Sequence, residues 1–150
     1  MHAMTKGLLA GAAGTLALDL TTYGDMLVRG RGSSGVPAQV AERLADRTGV
    51  GLGEGDTRSH RAEAAGALLG YLTGVGVGAA YGLLRRRSGP LPVSVAGPLL
   101  GAAAMAGSDV PAAALRVTDP FSWDTTSWVS DVVPHLVYGL TTASVYRALH

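Results

Sequence analysis

No cysteine occurs anywhere in the 150 residues. That removes disulfides, thiolate zinc sites, iron–sulfur clusters and cysteine nucleophiles. Charge is scarce as well: 15% of residues are Asp, Glu, Lys or Arg, against about 25% in an average soluble domain. The net charge is only +1, so no long-range field recruits nucleic acid. The four histidines form no metal-binding tract. Enzyme signatures are missing too: there is no GxGxxG in a strand–helix setting, no phosphate loop, no HExxH and no GxSxG. Ser33-Ser34-Gly35 and the Gly-rich segments read as flexible linkers.

What is present is apolar. Hydrophobic residues make up 47% of the chain, and its length suits one domain, residues 1–150. Arginine far outnumbers lysine, and Ala and Gly abound, which reads as the product of a GC-rich bacterial genome. Four stretches hold nearly all the hydrophobicity: residues 7–28, 64–84, 91–115 and 127–149. Each is close to the ~20 residues that cross a ~30 Å hydrocarbon core as a helix. The first begins after Lys6 and resembles the start of a secretory signal. Its apolar character continues to Val28, however, so it is read as a retained span.

The second stretch separates a membrane bundle from a soluble Ala-rich bundle. It carries no charge between Glu63 and Arg85, and Gly66, Gly70, Gly74, Gly78 and Gly82 recur every fourth residue. In a water-exposed helix each glycine costs about 0.8–1 kcal/mol relative to alanine. In lipid the same stripe lets two helix backbones approach closely. Tyr71 and Tyr81 near its two ends suit membrane–water boundaries. The reading is therefore all-α: a four-transmembrane-helix bundle forming a single integral membrane domain.

Between the first two spans lies the longest polar segment, Arg29 to Arg61. After Pro37, the run AQVAERLADRT places Val40, Ala41, Leu44 and Ala45 on one face and Glu42, Arg43, Asp46 and Arg47 on the other. This predicts a short amphipathic helix over 37–48, either packed on the bundle as a surface helix or, the reading preferred, lying in the membrane interface, and then a flexible connection over Gly49–Asp56. Before the fourth span, Asp119-Pro120 marks a turn, Thr125, Thr126 or Ser127 can cap the helix, and Phe121, Trp123 and Trp128 suit an interfacial anchor.

Sliding the chain by ninety residues aligns GLLAGAAGTLALDL with GPLLGAAAMAGSDV. A two-helix repeat of this kind sets Asp19 and Asp109 facing each other across a pseudo-twofold axis.

An ionised aspartate at a helix centre costs roughly 2.5–3.5 kcal/mol on insertion scales. Intramembrane acids therefore face the protein interior or a wet cavity. Asp19, Asp109, Asp131 and His135 fit that description, with Asp25 nearer the interface. Asp131 and His135 lie one turn apart on a face continued by Tyr138 and Gly139. A carboxylate beside an imidazole fixes its tautomer and builds a proton relay; the same polar residues also fit a purely structural hydrogen-bond network that sets helix register. Pro98, Pro111 and Pro134 interrupt the same helices, and broken helices beside acids recur at ion sites in transporters.

The turn Pro120–Trp123 and the segment S-D-V-V-P-H-L-V-Y, Ser130–Tyr138, resemble the YagU-like family of small bacterial inner-membrane proteins. The layout of the first span followed by the Arg/Ser/Pro-rich Arg29–Pro37 is similar as well. The resemblance covers about half the chain and implies membrane residence, with attention on Asp131 and His135. It implies no reaction.

The leading expectation is a non-enzymatic multi-pass protein of the bacterial cytoplasmic membrane. It acts by helix–helix association through Gly66–Gly82, with the lipid bilayer, a second copy or a membrane complex as partner, and needs no cofactor. The second is a transporter, channel or proton-handling unit using Asp109, Asp131 and His135. The third is metal or haem ligation by one histidine and several carboxylates. Four spans put both termini on one side of the membrane, while arginines on both sides leave the orientation open.

Overall fold

Residues 1–150 are described by a computed structural model, which contains five α-helices, a single 3₁₀ turn and no strand. The first helix, α1 (Ala3–Arg29), ends at Gly30, whose left-handed φ of 63° closes the last turn. Next comes α2 (Val36–Thr48), which starts with Pro37 in its first turn and stops at the left-handed Gly49. The long α3 (Gly55–Leu84) follows, then α4 (Val93–Ala114), the 3₁₀ turn Pro120–Ser122 and α5 (Thr125–Ala148).

The amphipathic segment is helical as expected, but α3 starts earlier than the apolar pattern suggests. Gly55 and Asp56, expected in the flexible connection, and Thr57 to Glu63, outside the apolar stretch 64–84, form its first turns. The reason lies in α2, which packs antiparallel along this extension with Ala41 and Ala45 buried. Pro37 and Ala38 rest on Gly66, and Arg58 reaches Asp46 at 2.9 Å and Glu42 at 3.5 Å. Of the two arrangements expected for this helix, the structure shows it packed on the bundle, docked on α3. The prolines do not break their helices either: α4 runs through Pro98 and Pro111, and α5 through Pro134. Each only removes one backbone donor from an otherwise continuous ladder.

Helices α1, α3, α4 and α5 form an up–down bundle. Its order follows from which small residues meet. Gly7 and Gly11 of α1 oppose Gly78 and Gly74 of α3, while Gly82 meets the Ala3 backbone. On its other side α1 meets α5, with Gly14 against Tyr138 and Thr142. Gly97 and Gly101 of α4 face Leu140 and His135 of α5. Both chain ends therefore lie at one end of the bundle, where the His150 ring also sits beside Gly89.

The interior is built from small residues and three tyrosines. Only 26 of 150 residues are buried, and eight of the thirteen buried apolar ones are alanine. Large apolar side chains point outward instead: Leu27 is 85% exposed, Val28 86% and Leu84 77%. Two helices, α3 and α4, are long and apolar enough to cross a membrane. Polar residues interrupt the other two long helices: Asp19 and Asp25 in α1, Asp131 and His135 in α5.

Candidate functional site

Most of the glycine stripe is consumed inside the chain. A β-carbon at Gly78 would fall 2.5 Å from the Gly11 Cα, and one at Gly66 would fall 2.5 Å from the Pro37 carbonyl carbon. Gly74 and Gly82 are equally enclosed, against Thr15 and Ala3. Gly70 departs from the expected packing role, because nothing lies within 4 Å of where its β-carbon would be. It falls between the part of α3 covered by α2 and the part covered by α1.

The polar residues divide into three separate groups. Asp19 accepts a hydrogen bond from the Tyr71 hydroxyl at 3.0 Å, on the outer side of the α1–α3 pair. It does not meet Asp109, so the facing aspartates of a two-helix repeat are not formed. Tyr138 also stands apart from the acids. Its hydroxyl donates to the Gly74 carbonyl oxygen at 2.6 Å in a fully buried contact. Tyr81, expected at a boundary, is a core residue: it stacks edge-on with Tyr146 at 4.9 Å and accepts from the Leu91 N–H.

The third group joins Asp109 of α4 with Asp131 and His135 of α5. One turn of helix brings His135 Nδ1 to 3.4 Å from an Asp131 carboxylate oxygen and 2.8 Å from the Asp131 carbonyl oxygen. A carbonyl can only accept, so Nδ1 carries the proton and Nε2 is left as the acceptor nitrogen. Asp109 neighbours both residues across the α4–α5 contact, where Gly101 lets the two helices approach. The second Asp131 oxygen, Oδ2, is enclosed and has no hydrogen-bond partner. An unpartnered carboxylate oxygen is costly in a dry interior.

A cleft of about 460 Å³ leads to this group. It runs between α1 and α5, from the loop residues Ser34, Thr118 and Trp123 to Asp131, Pro134 and His135. Thr22, Arg29 and Ser130 line its walls. At its mouth Arg29 binds both Asp25, at 2.5 Å, and Ser130, and Arg31 reaches the same carboxylate at 2.6 Å. Asp109 is not part of the wall, but stands behind Asp131 and His135 on the α4 side.

The aromatic turn is only partly as expected. Trp123 and Trp128 pack edge-to-face at 5.1 Å, and Trp123 donates to Thr118 at 2.8 Å. Phe121 stands away from them and is fully exposed. The cap of α5 is Asp124, whose side chain accepts from the Ser127 N–H at 2.7 Å. The Ser127 hydroxyl and that N–H together hold the Asp124 carboxyl below its ordinary pKa. Asp109, Asp131 and His135 neighbour one another but are not disposed as a set that could hold a metal ion, and no other three His, Asp or Glu side chains are.

The cleft and its Arg29–Asp25–Arg31 mouth could not be read from the sequence, since they depend on α1 and α5 being neighbours. No family model, curated protein or solved structure matches this chain.

Proposed function

We propose that this chain is a small integral membrane protein. Its helices α1, α3, α4 and α5 each cross the bilayer, and it handles protons or a small polar solute at the inner end of a one-sided polar cleft. The observation that carries the reading is the cleft ending on Asp131 and His135, with Asp109 behind them. The outward-facing leucines and valines support lipid around all four long helices. So does the resemblance of Pro120–Tyr138 to YagU-like bacterial inner-membrane proteins.

In this reading water enters from the end bearing Arg29 and Trp123. His135 Nε2 takes a proton from the cleft, and the imidazolium is held by the Asp131 carboxylate. Asp109 is the next acceptor, on the far side of the α4–α5 contact. Two neighbouring carboxylates in a low-dielectric interior are favoured when one of them is protonated, so the pair can store a proton and release it. Neutral helix contact alone does not explain why an enclosed carboxylate oxygen remains unpartnered.

The test is proton flux in liposomes loaded with a pH-sensitive dye. Wild-type protein should collapse an imposed gradient, and Asp131→Asn, Asp109→Asn and His135→Ala should each slow it at least tenfold. Flux that is equal in all four proteins, or absent from the wild type, rejects the reading.

A second reading, association as a structural or accessory subunit, keeps support from one place. Asp19 and Tyr71 pair on the outer face of the bundle, close to the uncovered Gly70. A polar pair facing lipid is stabilised when another helix covers it. Oligomer distribution in mild detergent, compared between wild type and Asp19→Ala, tests this reading. An unchanged distribution counts against it.

A further inference from the structure

The charge of the molecule is sharply divided along its length. The end that carries both chain termini consists of residues 1–14, 76–98 and 139–150, and it holds no acidic residue. All eleven Asp and Glu of the chain lie elsewhere, as do all its ion pairs. Five of the twelve Lys and Arg residues sit at this acid-free end: Lys6, Arg85, Arg86, Arg87 and Arg147.

Local structure determines which of these cations are free. Arg85 turns inward, donating from Nε to the Gly89 carbonyl oxygen at 2.7 Å and from Nη2 to that of Ser88 at 3.3 Å. It closes the α3–α4 loop on itself and leaves Arg86 and Arg87 exposed at its tip. Arg147 is exposed on the last turn of α5, and Lys6 is half-buried on α1. Directly beneath the loop, Leu83 and Leu84 point outward. The sequence of surfaces is therefore apolar side chains, then unpaired guanidinium groups, with no acid between. In the rest of the molecule Arg29 and Arg31 are neutralised by Asp25, and Arg58 by Glu42 and Asp46, while Arg43, Arg47, Arg61 and Arg116 form no ion pair but share that part of the chain with all eleven acids.

We infer that the acid-free end of the bundle is a binding face for anionic lipid headgroups, held chiefly by Arg86, Arg87 and Arg147. The inference rests on the membrane reading above and is independent of the proton-handling one. A phosphodiester headgroup at the hydrocarbon boundary meets these groups at the depth where a long basic side chain emerges from lipid. Arginine offers it paired donors in a planar fork. Each basic residue near an anionic surface strengthens attraction by about fivefold. Three free arginines without competing acids thus select phosphatidylglycerol-like over zwitterionic lipid, and they place this end in the leaflet richer in anionic lipid.

The experiment uses the full chain in nanodiscs made from four parts phosphatidylcholine to one part phosphatidylglycerol. Lipid retained on the protein after detergent exchange is then quantified by mass spectrometry. Wild type should retain phosphatidylglycerol several-fold above its share of the mixture, and high salt should weaken the enrichment. Arg86→Gln/Arg87→Gln/Arg147→Gln should bring the retained lipid close to the bulk ratio. Arg43→Gln/Arg47→Gln, at the other end, should leave the enrichment intact. Arg87→Gln alone should give a partial loss. Bulk-ratio lipid on the wild type, or enrichment unchanged in the triple variant, overturns the inference while leaving the membrane reading in place. A wild-type chain that fails to enter nanodiscs overturns the membrane reading and this inference with it.

Discussion

The phenol of Tyr138 on α5 donates to the carbonyl oxygen of Gly74 on α3, and two turns later Tyr146 repeats the contact with Gly82. Both bonds span the same sixty-four residues of chain, so the two helices run in register across the bundle. Tyr138→Phe should lower the unfolding free energy in a detergent titration by about 0.6 kcal/mol, and by no more than about 1.7, the range for buried polar contacts in membrane bundles. An unchanged midpoint would show that the contact is not formed in lipid.

Two glycines of the same stripe should behave oppositely. Gly78→Leu forces a side chain into the Gly11 backbone and should destabilise the bundle by about 1–3 kcal/mol or more. Gly70→Leu meets open space and should leave the monomer's unfolding midpoint in place, within about 0.5 kcal/mol. Equal losses would mean that Gly70 is covered in the assembled protein.

If His135 relays protons from the cleft, the imidazole ring is what matters rather than the helix position. His135→Gly should abolish flux in liposomes, and free imidazole added at tens of millimolar should restore part of it, since the cleft of about 460 Å³ admits such a ring. Rescue that fails while the variant stays folded by circular dichroism would leave His135 a packing residue.

Asp124 provides a pH-dependent cap. Its hydrogen bond from Ser127 lowers its folded pKa, so its contribution is complete above the unfolded value, about 3.9. The contribution is lost as pH falls below that and through the depressed value. Asp124→Ala should fray the start of α5 at pH 7, exposing the Trp128 region to hydrogen exchange, and the difference from wild type should shrink towards pH 3. Asp124→Asn, which caps without a charge, should exchange slowly at both pH values. A wild-type-to-alanine difference that stays constant with pH would refute the charged-cap account.

The helices were legible because apolar runs, caps and breakers are local. Gly30 and Gly49 end α1 and α2 as their chemistry demands. The start of α3 was not legible, because the polar segment Gly55–Glu63 lies outside the apolar run that marks the rest of the helix, and its support comes from α2 folding back onto it. The glycine spacing announced close packing but could not separate Gly70 from its neighbours, since that depends on where α1 ends its cover and α2 begins. Asp131 and His135 could be paired from their spacing alone. Their meeting with Asp109 needed the α4–α5 contact, and nothing local distinguished Asp19, which turns outward to Tyr71.

The thirty residues of α3 amount to about 45 Å of helix at 1.5 Å per residue, against a hydrocarbon layer of ~30 Å. The surplus, braced by α2 through Arg58, is a splinted post rather than a swinging tether. A partner gripping that post would push or turn α3 as a lever, and the motion would arrive at Gly74 and Gly78, where the rod is seated against α1.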